Sequence, residues 1–181
     1  MIPFPNKKYD IIYADPAWKY AKRNKNTSFG GGSYAQYPMM DLKDICNLPV
    51  KKICNDNSFL FLWVTMPYLM RANQVIEAWG FKYITTAFTW VKTNKNSGTI
   101  FKGIGNYTKH NAELCLLAKK GKGVKRIAKD VCQIIMEQRR EHSRKPDRTR
   151  TDITRLFGDI PRIELFARQQ VEGWDSWGNE I

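Results

Sequence analysis

Apolar residues fall in short unbroken runs separated by polar stretches of very unequal length. Ile11 to Ala14 is apolar and partly β-branched, which predicts a strand buried on both faces. Phe59 to Thr65 is a second such run; Pro67 then opens a helix predicted to reach about Trp79, with Leu69, Val75, Ile76 and Trp79 on one face and Gly80 past its end. Asp41 to Leu48 predicts a short helix, capped by Asp41, whose Leu42, Ile45 and Leu48 share a face. Tyr83–Val91, Ala112–Ala118, Val131–Met136 and Arg162–Ala167 predict further strands. Pro146 opens a last helix to about Phe157, with Asp147 in its first turn and Gly158 beyond it. Strands alternating with helices are the pattern of a wound α/β sheet. With 181 residues, no internal repeat and no linker, residues 1–181 are expected to form a single domain.

The polar stretches carry the charge. Lys and Arg number 30 against 17 Asp and Glu, a formal net charge of +13 whose self-repulsion a polyanion would relieve. Nucleic acid is the expected partner; a membrane is not, because the aromatics are dispersed rather than gathered on one basic amphipathic helix. The stretch from Lys19 to Tyr37, with Gly30-Gly31-Gly32, reads as a loop; it lacks the Gly-Lys-Ser/Thr ending of a P-loop, leaving a solvated loop or a substrate-gripping lid. Between Lys92 and Asn111, lysines 92, 95, 102 and 109 interleave with Phe101 and Tyr107, a mixture suited to neutralising phosphate and stacking on bases, or simply to a solvated loop. Lys119 to Arg155 is the densest basic segment, and its excess over the local acids predicts a polyanion-binding patch. Cys46, Cys54, Cys115 and Cys132 have no metal-ligand spacing, and only His110 and His142 accompany them, so no metal site is expected. No signal peptide or membrane-length apolar run stands out, and an intracellular, cytoplasmic location is expected.

Against this background Asp15-Pro16-Ala17-Trp18 is unusual. Pro16 cannot join a sheet ladder, so Asp15 is placed where the first strand ends, and ligands of open α/β sheets bind beyond the carboxyl ends of strands. Pro16 restricts Asp15 to an extended conformation and is expected to leave a carbonyl free of neighbouring N–H groups. The alternative is a turn-capping acid with a tryptophan covering the sheet edge.

The tetrad resembles the Asp-Pro-Pro-Trp signature of the amino-methyltransferases typified by the catalytic subunit of the messenger-RNA adenosine N6 writer, the MT-A-seventy family. The resemblance continues in order through Tyr37-Pro38-Met39-Met40, Phe59–Thr65, Trp90-Val91-Lys92-Thr93-Asn94, Ser143-Arg144-Lys145-Pro146-Asp147, Ile163-Glu164-Leu165-Phe166-Ala167-Arg168 and Trp177-Gly178-Asn179-Glu180. It implies a Rossmann-like methyltransferase core with a single mixed sheet flanked by helices, in permuted order: catalytic motif N-terminal, cofactor motif C-terminal. It implies S-adenosyl-L-methionine as cofactor, with Asp15, Lys145, Glu164, Arg168, Asn179 and Glu180 about it. It implies methyl transfer to the N6 amine of adenine in nucleic acid. DNA is favoured over RNA because the chain resembles compact prokaryotic or phage members; a catalytically silent nucleic-acid-binding subunit is the rival, and monomer or dimer is left open. That amine is a poor nucleophile, and acceptors for its N–H groups would restore density on nitrogen as positive charge develops. The Asp15 carboxylate and the Pro16 carbonyl are the expected acceptors. Trp18 either stacks on the base or shapes the pocket, Tyr37 is a second wall, and Lys92, Asn94 and Tyr107 are the further substrate candidates. Ala17 replaces the family's second proline, and Glu180 stands where glutamine is frequent.

Overall fold

The computed structural model describes residues 2–19, 39–105, 107–140 and 144–181. A seven-stranded sheet runs in the order β5-β3-β4-β2-β1-β6-β7. Its strands are β1 (Tyr9–Ala14), β2 (Cys54–Val64), β3 (Lys82–Thr93), β4 (Ala112–Lys120), β5 (Ile134–Gln138), β6 (Arg162–Leu165) and β7 (Asp175–Trp177). Three α-helices accompany them among the described residues: α1 (Leu42–Asn47), α2 (Leu69–Ala78) and α3 (Arg148–Phe157). β1 pairs in parallel with β2 and β6, β6 with β7, and β3 with β5, whereas β4 is antiparallel to both β2 and β3. Every strand except β4 therefore points the same way. The carboxyl ends of β1, β3, β5, β6 and β7 and the amino end of β4 meet on one edge of the sheet.

The expected alternation of elements is present, and the mixed sheet flanked by helices is that of an α/β methyltransferase-like core. The central strands are apolar on both faces because both are covered. Leu60, Leu62 and Val64 of β2 pack with Ile45 of α1 and Ala72, Val75 and Ile76 of α2. Phe61 and Trp63, pointing the other way, pack with Ile153 and Phe157 of α3. Each fully buried aliphatic or aromatic side chain is worth about 1.5–3 kcal/mol, so β1 and β2 anchor the sheet.

Several boundaries moved. A 3-10 turn over Met66–Tyr68, containing Pro67, precedes α2, and Gly80 ends that helix at a φ of 85°. Asp41 makes no side-chain cap; its carboxylate pairs with Lys19 at 2.9 Å instead. The strand expected at 131–136 lies at 134–138, in register with Thr89–Thr93 of β3. β6 stops at Leu165, two residues early, because Phe166 turns to a φ of 63°, a left-handed conformation rare outside glycine. β7 was not foreseen, since three residues are too few for a periodicity to appear.

Candidate active site

Asp15 follows β1 directly, and its backbone N–H donates to the carbonyl of Leu165 at the end of β6 (3.5 Å). The tetrad that follows is a tight turn. The Trp18 N–H donates to the Pro16 carbonyl (2.9 Å), so that carbonyl is not free of neighbours, and one lone pair remains for a substrate. Trp18 is buried: its indole N–H donates to the Trp63 carbonyl (3.1 Å), and its ring stacks on Tyr68. Of the two readings of Trp18, this burial favours the one in which it shapes the pocket, because the ring fills the core and braces the turn from behind. Tyr37 lies outside the described residues.

Asp15 opens onto a cleft of about 920 Å³ along the carboxyl edge of the sheet, a volume suited to a nucleotide-sized ligand. Its carboxylate receives the Lys145 ammonium at 2.8 Å, and Lys145 also reaches Glu113 at 3.2 Å. Glu113, at the start of β4, takes a second ammonium from Lys92 of β3. Asp15, Lys145, Glu113 and Lys92 thus form a chain of alternating charge running from the cleft into the sheet. Burial pushes the Asp15 carboxyl above the ordinary carboxylate range despite the pull of Lys145. For Glu113 burial acts in the same direction, but the ammoniums of Lys145 and Lys92 together outweigh it and hold the carboxyl below its usual range. Burial opposes the Lys145 ammonium too, yet Asp15 and Glu113 raise its pKa above the ordinary lysine value. Lys145 is charged at neutral pH, held so by Asp15 first and by Glu113 second.

On the β6–β7 side, Phe166, Arg168 and Glu180 line the cleft. Arg168 stands 3.8 Å from Glu180, whereas Asn179 is exposed beside them and does not line the cleft. The left-handed turn at Phe166 lets β6 end beside Asp15, and the Ala167 N–H closes onto the Trp177 carbonyl (3.0 Å). Glu164 faces the cleft, but its carboxylate is taken by Arg150 of α3, whose Nη1 contacts both oxygens (3.0 and 3.2 Å). Burial raises the Glu164 carboxyl more than Arg150 lowers it.

On the β3–β5 side, Asn94, Lys95, Gln138 and Arg139 line the cleft. Asn94 donates to the Thr99 hydroxyl (3.0 Å) across a turn. Lys92 does not reach the cleft surface, being 12% exposed and paired with Glu113. Tyr107 is fully exposed and lies outside the cleft lining. Of the three substrate candidates among the described residues, only Asn94 is brought to the cleft. The basic segment from 119 to 155 is also altered by folding. Arg140, Arg144 and Arg150 all converge on Asp147, while Arg148 pairs with Asp152, and Arg155 with Asp152 and Asp130. Local acids thus pair with several of its arginines, while the segment's 13 Lys and Arg still exceed its 5 Asp and Glu.

Glu113 escaped sequence reasoning because a single acid in an apolar strand gives no sign of what it will face. Arg150 escaped because it sat among many basic residues. Among the described residues, no group of His, Cys, Asp and Glu is arranged to hold a metal ion.

A largely parallel sheet with one antiparallel strand, an acid at the end of β1 and a nucleotide-sized cleft along its carboxyl edge define a methyltransferase-like α/β enzyme. The MT-A70 family model matches residues 9–180, and the chain belongs to that family. It is 37% identical over 98% of its length to Type II methyltransferase M.MunI of a Mycoplasma species, covering 79% of that protein. It is 30% identical over 96% of its length to human N(6)-adenosine-methyltransferase catalytic subunit METTL3, and 31% identical over 96% to a putative N(6)-adenosine-methyltransferase MT-A70-like protein of Medicago truncatula. It spans only 28% and 26% of those two.

Proposed function

We propose that this chain transfers a methyl group from S-adenosyl-L-methionine to the exocyclic N6 amine of adenine in nucleic acid, with DNA preferred to RNA. The observation that carries the reading is the Asp15 carboxylate, held at the divide of the cleft by Lys145. The β6–β7 lobe offers what the cofactor's groups require. Arg168 supplies a cation for a carboxylate, Glu180 supplies acceptors for ribose hydroxyls, and Phe166 supplies an apolar wall, while Asp15 is an anion on the side of an ammonium or sulfonium. Bound there, the cofactor supplies an electrophilic methyl group. The β3–β5 lobe is left for the nucleotide.

The chain's own part is to hold the amine. The Asp15 carboxylate and the remaining lone pair of the Pro16 carbonyl accept its N–H groups and stabilise the positive charge that develops on nitrogen. Lys145 holds the Asp15 carboxylate in one orientation. Trp18, locked to Trp63, keeps the turn from relaxing. A paired adenine presents its amine inside the duplex, so the base is flipped out or already unpaired when it reacts.

Preference for DNA is supported by the Type II methyltransferase relative, which this chain covers for most of its length; the adenosine methyltransferases are matched over about a quarter. The same reaction on RNA is the second reading, favoured by the names of those adenosine-specific relatives. Single-turnover methyl transfer from labelled cofactor to matched deoxy- and ribo-oligonucleotides separates the two. On the better substrate Asp15→Asn is expected to lose on the order of 10²–10³ in rate, since it loses an aimed negative charge. Near-wild-type rates for that variant would return the tetrad to a structural turn.

A further inference from the structure

The cations around the cleft differ in how far they are already neutralised. Arg140 is set against Glu137 (2.7 Å) and Asp147, and Arg144 and Arg150 also face Asp147. Arg139, one residue earlier, lines the cleft and is exposed, yet it makes no ion pair with a carboxylate among the described residues. Its guanidinium carbon lies 4.0 Å over the ring of Phe101. The two residues are hung from neighbouring positions at the end of β3. The Arg139 N–H donates to the Thr93 carbonyl (3.3 Å) and the Phe101 N–H to the Lys92 carbonyl (2.8 Å). A guanidinium laid against a ring keeps its N–H donors free at its edge, and its fork matches two oxygens of a phosphate. Lys95, across the same lobe, also lacks an ion pair among the described residues.

We propose that Arg139, seated on Phe101, is a phosphate-binding subsite that grips the nucleic-acid backbone beside the target nucleotide. The subsite rests on the methyltransferase reading, because it assigns the β3–β5 lobe to the nucleotide substrate. Phe101 is its positioning residue. The ring carries no charge, but it holds the guanidinium flat at the rim instead of leaving a long side chain to sweep through solvent. Among the described residues, the charge on Arg139 is the one in this lobe's arginine cluster that folding leaves for an outside anion.

The test is binding of a mixed-sequence DNA duplex by fluorescence anisotropy across a salt series, together with methyl transfer to the same duplex. Arg139→Ala is expected to weaken binding about tenfold near 0.1 M salt and to lower the magnitude of the log–log salt slope by about one, the signature of one lost phosphate contact. Arg140→Ala should move the slope less, because its charge is already met by two carboxylates. Phe101→Leu should weaken binding while leaving the slope in place, since the charge stays and only its seat is lost. Arg139→Lys should likewise keep the slope but recover only part of the affinity. Binding and slope unchanged in Arg139→Ala, with methyl transfer by the wild type intact, would overturn the subsite alone. A wild type that binds the duplex but never methylates DNA or RNA adenine would instead sink the methyltransferase reading.

Discussion

The charge of Asp15 at the end of β1 depends on two neighbouring side chains. Lys145 answers its charge, and Glu113 holds Lys145 in place against the cost of burying an ammonium. Removing one member of such a buried chain typically costs about 3–5 kcal/mol, because its partner is left uncompensated. Two pH effects follow. Burial already raises the Asp15 carboxyl, so the acid limb of the single-turnover rate is expected above the ordinary carboxylate range. Lys145→Met removes the cation that draws it down, and the limb should move further up. A limb that stays in place would show that Lys145 does not act on Asp15. Glu113 has the opposite sign. Its folded pKa is depressed, so it contributes stability above its unfolded value, and that contribution fades as pH falls through the folded one. The stability gap between wild type and Glu113→Gln, read by urea melts, should therefore be wide near neutral pH and close below about pH 4. A gap that widened in acid would contradict this sign.

Among the elements, the junction of β6 and β7 decides whether the lobe proposed for the cofactor has a floor. Phe166 takes a left-handed turn at the end of β6, and Gly178 lies directly on the next residue. A Cβ placed at Gly178 would come within 2.2 Å of the Ala167 carbonyl oxygen and 2.8 Å of its nitrogen, both backbone atoms that cannot swing aside. Gly178→Ala is therefore expected to push the two strand ends apart and to cost about 1–3 kcal/mol in stability. S-adenosyl-L-methionine affinity should fall as well, since Phe166, Arg168 and Glu180 hang from these two ends. A thermal melt and a calorimetric titration check both effects; unchanged affinity would move the cofactor away from this lobe. Gly80→Ala is a useful contrast. Its φ is positive, unlike that of Gly178, but the added Cβ would meet mainly the flexible Lys51 side chain, far from the cleft. It should cost roughly 1–2 kcal/mol in stability and leave cofactor affinity alone.

For the molecule as a whole, the net charge of +13 sets how it meets a polyanion. Folding redistributes that charge: several arginines between 140 and 155 are paired with Asp147 and Asp152, while Lys119, Lys122, Lys125, Arg126 and Lys129 make no ion pairs among the described residues. Nucleic-acid affinity should still fall steeply with salt, with a log–log slope of several units, because the unpaired cations outnumber the paired ones at the surface that remains. A slope near zero for the wild type would reduce the excess to a solubility feature. No helix among the described residues is long and apolar enough to cross a membrane.

Much of this was legible in the chain. The apolar runs of β1 and β2 and the amphipathic face of α2 are local patterns, repeated over enough residues to fix an element type. Asp15 was identifiable because a proline stopped a strand immediately behind it. What the chain could not state was who faces whom. Glu113 and Lys145 are separated by β5 in sequence, and only the antiparallel insertion of β4 between β2 and β3 delivers that glutamate to the carboxyl edge. Nothing in the sequence says what Trp18 and Lys92 will meet; the hydrogen bond from the Trp18 indole to the Trp63 carbonyl and the ion pair of Lys92 with Glu113 are set by the tertiary structure. Likewise Arg139 and Arg140 are indistinguishable neighbours in the sequence. Their roles divide because one lies over a ring and the other between two acids, and those distances depend on strand register, which local residue preferences do not set.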